Sequence, residues 1–195
     1  QIYTDGVSVI YDDYQAVYDI GKLAADRGHT DMMYIGVSEV DDAVGRKRKQ
    51  GVMDGFGQKA RSVMMEETTF SYNETRHLIR DILTVHVPTL FICATDRMAM
   101  AAYKEVRDAG YRVPEDISII GFGGYDSSEL MDPSLLSVRF HNEEAGMIAA
   151  RTLMNMIYDQ PVPRLQLIGY DIRMGGSLAD LNEKNEEEKK EDPGE

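Results

Sequence analysis

The chain has 195 residues, 43% of them hydrophobic and 28% charged, enough to bury a core in one ordinary domain or in a domain and a small part. Its formal net charge of -13 argues against nucleic-acid binding by this chain acting alone. No apolar run approaches the roughly 20 residues of a membrane span, and the opening Gln1-Ile2-Tyr3-Thr4-Asp5 is polar and strand-like, unlike a secretory leader. The missing initiator Met suggests a fragment or a processed chain. The single cysteine, Cys93, lies in the apolar run 90–94, which allows no internal disulfide and fits a reducing, cytoplasmic compartment. The four histidines are scattered, so no metal-ligand spacing is present.

In chain order, residues 7–11 read as a strand. Asp12-Asp13 then caps a helix over 14–27, closed by Gly28. A strand at 32–36 is followed by a loop of small and acidic residues and a helix over 46–60. Residues 62–65 are a short strand, and Asn73 is placed to cap a helix reaching 84. Val87-Pro88 introduces the strand 89–93. Asp96 is placed to cap the helix 97–109, closed by Gly110. The strand 117–121 ends in a glycine corner, Gly121-Phe-Gly-Gly-Tyr-Asp126. A strand at 135–138, a helix over 142–158 and a last strand at 165–172 complete the order. The tail 182–195 has nothing apolar to bury and reads as a solvated, disordered extension.

Strands and helices that alternate over short connections predict an α/β fold, a parallel sheet with helices on both faces. Ligands in such sheets bind at the carboxyl ends of the strands. Four loops, after residues 36, 67, 93 and 121, therefore converge on one crevice.

Catalytic signatures are missing from that crevice. There is no Gly-x-Ser-x-Gly elbow and no phosphate loop. The glycine corner fits a dinucleotide fingerprint poorly, because the third glycine is out of place and Pro133 interrupts the expected helix. Its glycines suit a tight turn at positive φ or a close ligand approach. In Arg46-Lys-Arg-Lys-Gln-Gly51, a helix start is an unfavourable place for so many cations, which suggests that at least one is used. An arginine fork can hold two vicinal hydroxyls or a carboxylate. On spacing alone Phe70 reads as a staple for the next helix, with a platform for a sugar ring as the alternative. Asp96 reads as a cap, and the twelve methionines read as core filler.

Several motifs in order and spacing resemble the effector-binding part of the lactose-repressor/galactose-repressor family of bacterial transcription regulators. They are "LAADRGHTDMMYIG", "RKRKQGVMDGF", "PTLFICATDRMAMAAYKEVRDAGYRVPEDISIIGFGGYD" and "DPSLLSVRF". The Gly-Phe-Gly-Gly-Tyr corner with Arg139-Phe140 after it is similar to sucrose-operon repressors of Gram-positive bacteria. The resemblance implies a periplasmic-binding-protein-like fold with two α/β subdomains and an effector between them. Residues 1–12 and 139–162 would be remnants of the amino-terminal subdomain. Residues 13–138 and 163–177 would form the carboxy-terminal one, and 178–195 the acidic tail. The helix 142–158 would belong by the family's crossovers to the other half, leaving its apolar face bare or paired with another chain.

The same resemblance places effector-binding roles on Arg48, which in relatives grips sugar hydroxyls, and on Phe70, the stacking aromatic. Thr95 stands where the family has Asn, and Gly123 where it has an acidic residue, with Tyr125 or Asp126 as substitutes for the lost carboxylate. Tyr11 and Phe140 lie where the chain crosses between subdomains. The implied protein is a non-enzymatic, sugar-responsive repressor with no cofactor, no metal and no membrane partner. It would act as a homodimer and meet operator DNA only through a helix-turn-helix head absent from this chain. Two other readings stand beside it: a sugar-binding receptor of a transport system, which shares the architecture, and a nucleotide-using α/β enzyme.

Overall fold

The computed structural model describes residues 6–183. β1 (Ser8–Tyr11) leads into α1 (Asp13–Asp26), where the Asp12 side chain accepts from the Gln15 amide and Gly28, at φ +84°, turns the chain away. β2 (Asp31–Gly36) is followed by a π-helical stretch, Asp42–Lys47, that runs directly into α2 (Arg48–Phe56). The helix expected over 46–60 thus begins earlier and ends sooner. Asp41 caps it by accepting from the Ala43 and Val44 amides, and Gly57 breaks it at φ +54°. The cations of 46–49 therefore do not sit at a helix start, and the dipole cost expected there does not arise.

β3 (Ser62–Glu67) and α3 (Tyr72–Val85) come next. Ser71 rather than Asn73 caps α3, because the Ser71-x-x-Glu74 spacing brings the hydroxyl to the Glu74 amide. After them come β4 (Leu90–Cys93), α4 (Asp96–Asp108), β5 (Ser118–Phe122), the single-turn α5 (Asp126–Glu129) and β6 (Leu136–Phe140). α6 (Asn142–Ile157), β7 (Leu165–Ile168) and β8 (Tyr170–Arg173) close the order.

Six strands form one sheet in the order β3-β2-β4-β5-β6-β8, parallel except where β8 runs antiparallel to β6. Every residue of β4 and β5 is buried, as expected where helices cover both faces. Phe91, Ile92, Ile119 and Ile120 meet the apolar faces of α1 (Val17, Ile20) and α4 (Met98, Ala102, Val106) in one core.

β1 and β7 pair in a separate two-stranded parallel sheet. The strand expected over 165–172 is therefore two strands, split at Gly169 between different sheets. Residues 165–168 side with β1 and not with the larger lobe, while Arg139 and Phe140 belong to β6 of the larger sheet. A continuous alternating run does not reveal which partner each half will pair with. α6 lies against β1, and Met147, Leu153, Met154 and Ile157 along it are exposed.

The tail begins later than expected. Leu178 and Ala179 are buried, Arg27 donates to the Leu178 carbonyl at 3.0 Å, and the Leu181 amide donates to the Arg27 carbonyl at 2.8 Å. The remainder of the expected acidic extension, 184–195, lies outside the described residues.

Candidate functional site

The chain leaves β2 toward β3 on one side of the sheet and returns to β4 on the other. The sheet order therefore reverses between β2 and β4, and such a switch point opens a crevice at the carboxyl ends of the strands. Arg48, on the helix after β2, and Ala94-Thr95, directly after β4, stand on its two sides. Arg48 Nε and Nη2 donate to Asp13 Oδ1 at 2.9 and 2.7 Å, and Nη1 donates to the Ala94 carbonyl. The guanidinium carbon lies 5.2 Å from the Phe122 ring centroid and 5.4 Å from that of Phe140, so two aromatic faces also hold the cation. Arg48 is 7% exposed and Asp13 2%, so the pair is built into the crevice wall.

α1 and α2 can bring these partners together because glycines line their contact. A Cβ on Gly51 would lie 2.5 Å from the Tyr14 carbonyl oxygen, and one on Gly55 would lie 2.2 Å from that of Tyr18. Only a residue without a side chain permits that approach.

The glycine corner is held from behind by Asp96. Thr95 supplies the cap of α4, its hydroxyl accepting from the Met98 amide, so the capping role expected of Asp96 passes to its neighbour. The Asp96 carboxylate, 1% exposed, accepts instead from the Tyr125 amide at 3.1 Å, the Ser128 hydroxyl at 2.7 Å and the Ser137 hydroxyl at 2.5 Å. Ser137 in turn accepts from the Gly124 amide at 3.0 Å. Gly123 and Gly124 have φ of +141° and +61°, values that side chains rarely tolerate. A Cβ on Gly123 would also fall 2.6 Å from the Tyr125 ring and 3.1 Å from Asp96 Oδ2. A carboxylate at position 123 would thus crowd the one already beneath it.

Of the residues singled out in the sequence, Arg48, Thr95, Gly123 and Phe140 gather at this edge. Tyr11 joins them through Phe140, with ring centroids 4.8 Å apart, and its hydroxyl donates to Asn142 Oδ1 at 2.8 Å. Phe70, on the loop after β3, is 49% exposed, and among the described residues no ring contact joins it to Arg48. Tyr125 is 63% exposed and Asp126 is exposed in the first turn of α5.

Asp13, Phe122 and the Ala94 carbonyl were not singled out. Asp13 had one local signal: a helix needs a single cap, Asp12 supplies it, and the second acid is left over. Among the described residues no group of His, Cys, Asp and Glu could hold a metal ion, and no helix is long and apolar enough to cross a membrane.

Comparison with known proteins identifies the family and the fold. A family model described as a periplasmic binding protein-like domain matches residues 22–178, most of the chain. The chain belongs to this family. Relatives of this periplasmic binding protein-like chain include the sucrose operon repressor of Staphylococcus xylosus, 30% identical over 169 residues. That match covers 86% of this chain and 52% of the relative. The HTH-type transcriptional regulator GntR of Escherichia coli K12 is 32% identical over 178 residues, 88% of this chain and 53% of that protein. The family member described here thus spans about half the length of these curated relatives. Among solved structures, a dimeric lac repressor superposes with a TM-score of 0.85 at 19% identity, covering 92% of this chain and 67% of that one. A LacI family regulator from Enterococcus faecium with bound ribose gives a TM-score of 0.81 at 21% identity, over 92% and 68% of the respective chains. The periplasmic-binding-protein-like fold read from the sequence is therefore the fold of this chain. The resemblance to the lactose-repressor/galactose-repressor family holds as well.

Proposed function

We propose that this chain is the effector-binding part of a sugar-responsive transcription repressor that works as a homodimer in the cytoplasm and has no catalytic activity. The observation that carries this reading is the Arg48 guanidinium, fixed at the switch point of the sheet between Asp13, the Ala94 carbonyl and two aromatic faces. It offers positioned N–H donors beside apolar rings, the combination that a sugar's hydroxyls and ring faces call for. Thr95 adds a hydroxyl at the same edge. The curated relatives, a sucrose operon repressor and a transcriptional regulator, support the regulatory half of the reading.

The chain crosses between the two sheets at 11–13, 140–142 and 168–170, and the crossings lie side by side. The Asp12 amide donates to the Ile168 carbonyl at 3.3 Å, and the His141 amide to that of Gly169 at 3.2 Å. Effector bound between the lobes changes their angle, and the dimer carries that change to DNA-reading heads. Effector acts only through its unequal affinity for the two states. DNA contact is assigned to a head outside this chain, whose net charge of -13 disfavours phosphate.

The test uses the intact protein. DNA selected from a random pool is bound in gel shifts with and without each mono- or disaccharide that raises the melting temperature. A bound sugar is expected to change DNA affinity by about 5- to 150-fold. Sugar binding with no effect on DNA, or no DNA binding at all, would turn the reading toward a transport receptor. Arg48→Lys, which keeps a charge for Asp13 but loses the fork, is expected to lose effector response and keep DNA binding. Unchanged effector affinity would remove Arg48 from the site.

A further inference from the structure

The basic run 46–49 holds four cations, and each meets a carboxylate of the same chain. Arg46 and Lys47 pair with Asp42, Lys49 with Glu39 and Glu67, and Arg48 with Asp13. The last pairing is the one that matters for a ligand. Both Arg48 and Asp13 are buried, and two guanidinium nitrogens share a single carboxylate oxygen. A buried pair of opposite charges presents a dipole, not a positive field. The guanidinium N–H groups not used by Asp13 or the Ala94 carbonyl still donate well to a hydroxyl oxygen. A phosphate or carboxylate arriving at the same N–H groups also meets the Asp13 charge within a few ångströms, in surroundings where water screens it poorly. Arg139 lies beside Gly124 of the glycine corner, but it is exposed, so water and salt screen its charge far more than that of the buried Asp13.

We propose that Asp13 sets the charge class of the effector: by neutralising Arg48 it makes the crevice select an uncharged polyhydroxyl sugar over phosphorylated or carboxylated sugars. This rests on the reading of the chain as a sugar-effector domain. It adds the substrate's charge and names a specificity residue that does no chemistry of its own. Asn at position 13 would keep the shape and an acceptor for Arg48 while releasing its charge toward the ligand.

The experiment is isothermal titration of the intact protein with matched sets: ribose and ribose 5-phosphate, sucrose and sucrose 6-phosphate, and glucose with glucose 6-phosphate and gluconate. In the set that binds, the neutral member is expected to bind on the order of ten-fold tighter or more than its anionic counterpart. Asp13→Asn is expected to move that ratio toward the anion by on the order of ten-fold, and Asp13→Glu, which retains the charge, to leave it in place. Tighter binding of a phosphorylated or carboxylated member by the wild type would overturn the proposal and leave the sugar-effector reading intact. A ratio unmoved in a folded Asp13→Asn protein would overturn it too. Should that variant fail to fold, the wild-type preference decides alone. Binding of no member of any set would remove the sugar-effector reading, and this proposal with it.

Discussion

Replacing Asp96 by Ala tests whether the glycine corner depends on the carboxylate beneath it. The substitution deletes the shared acceptor of the Tyr125 amide and the Ser128 and Ser137 hydroxyls at a site that is 1% exposed. Stranding a buried donor costs roughly 1–3 kcal/mol. Both hydroxyls can turn to find other acceptors, and the desolvation cost of the buried carboxylate is recovered. The sum should therefore fall well short of three full penalties, at about 3–4 kcal/mol. Urea denaturation of wild type and variant measures it. Ser137→Ala alone removes one of the three bonds and also the acceptor of the Gly124 amide. The two changes touch one network, so a double-mutant cycle should give a coupling of about 1–2 kcal/mol. A loss below about 1 kcal/mol for Asp96→Ala, or additivity within about 0.3 kcal/mol in the cycle, would refute the idea that Asp96 organises the corner.

Three further outcomes are expected. Gly51→Ala should destabilise by about 1–2 kcal/mol in thermal melts, since its methyl group would sit 2.5 Å from the Tyr14 carbonyl oxygen and the overpacking outweighs the better helix propensity. The same change should weaken effector binding, because α1 and α2 carry Asp13 and Arg48 on either side of that contact. Hydrogen bonds from Lys22 and Lys59 hold the Asp26 carboxyl at about 2, below its ordinary 3.8. Its stabilising effect is thus complete above the unfolded value and lost as pH falls from 3.8 toward about 2. Asp26→Asn should flatten the acid limb of stability against pH in that window, and an unchanged limb would count against the pairing. Burial pushes the Cys93 thiol well above its ordinary range, so the native protein should resist a thiol reagent at pH about 8 and react on unfolding. Labelling of the native protein at the rate of a free thiol would contradict this.

Much of the scaffold was legible in the sequence because its signals are local. Apolar runs ending in glycine gave β2 and β5, and Gly28 and Gly110 closed α1 and α4 at the expected places. Caps were less legible where two capable residues adjoin. Thr95 takes the cap expected of Asp96 because Ser128 and Ser137, far along the chain, engage the carboxylate. The site was half legible. Arg48 stood out in a motif, but its partner lies 35 residues away on another helix. No spacing rule joins the two, and only the close contact of α1 with α2, through Gly51 and Gly55, brings them within reach.

Gly169 is the single residue separating β7 from β8, and those strands belong to different sheets. Ile168 is fixed in register with Tyr11, and Tyr170 with Phe140. Any swing of one sheet relative to the other along this connection must therefore be absorbed by the torsion angles around one peptide unit on either side of a residue that lacks a side chain. Bulk introduced there would act as a stiffener, restricting how far the halves can turn, and its first neighbour would be the His141 ring.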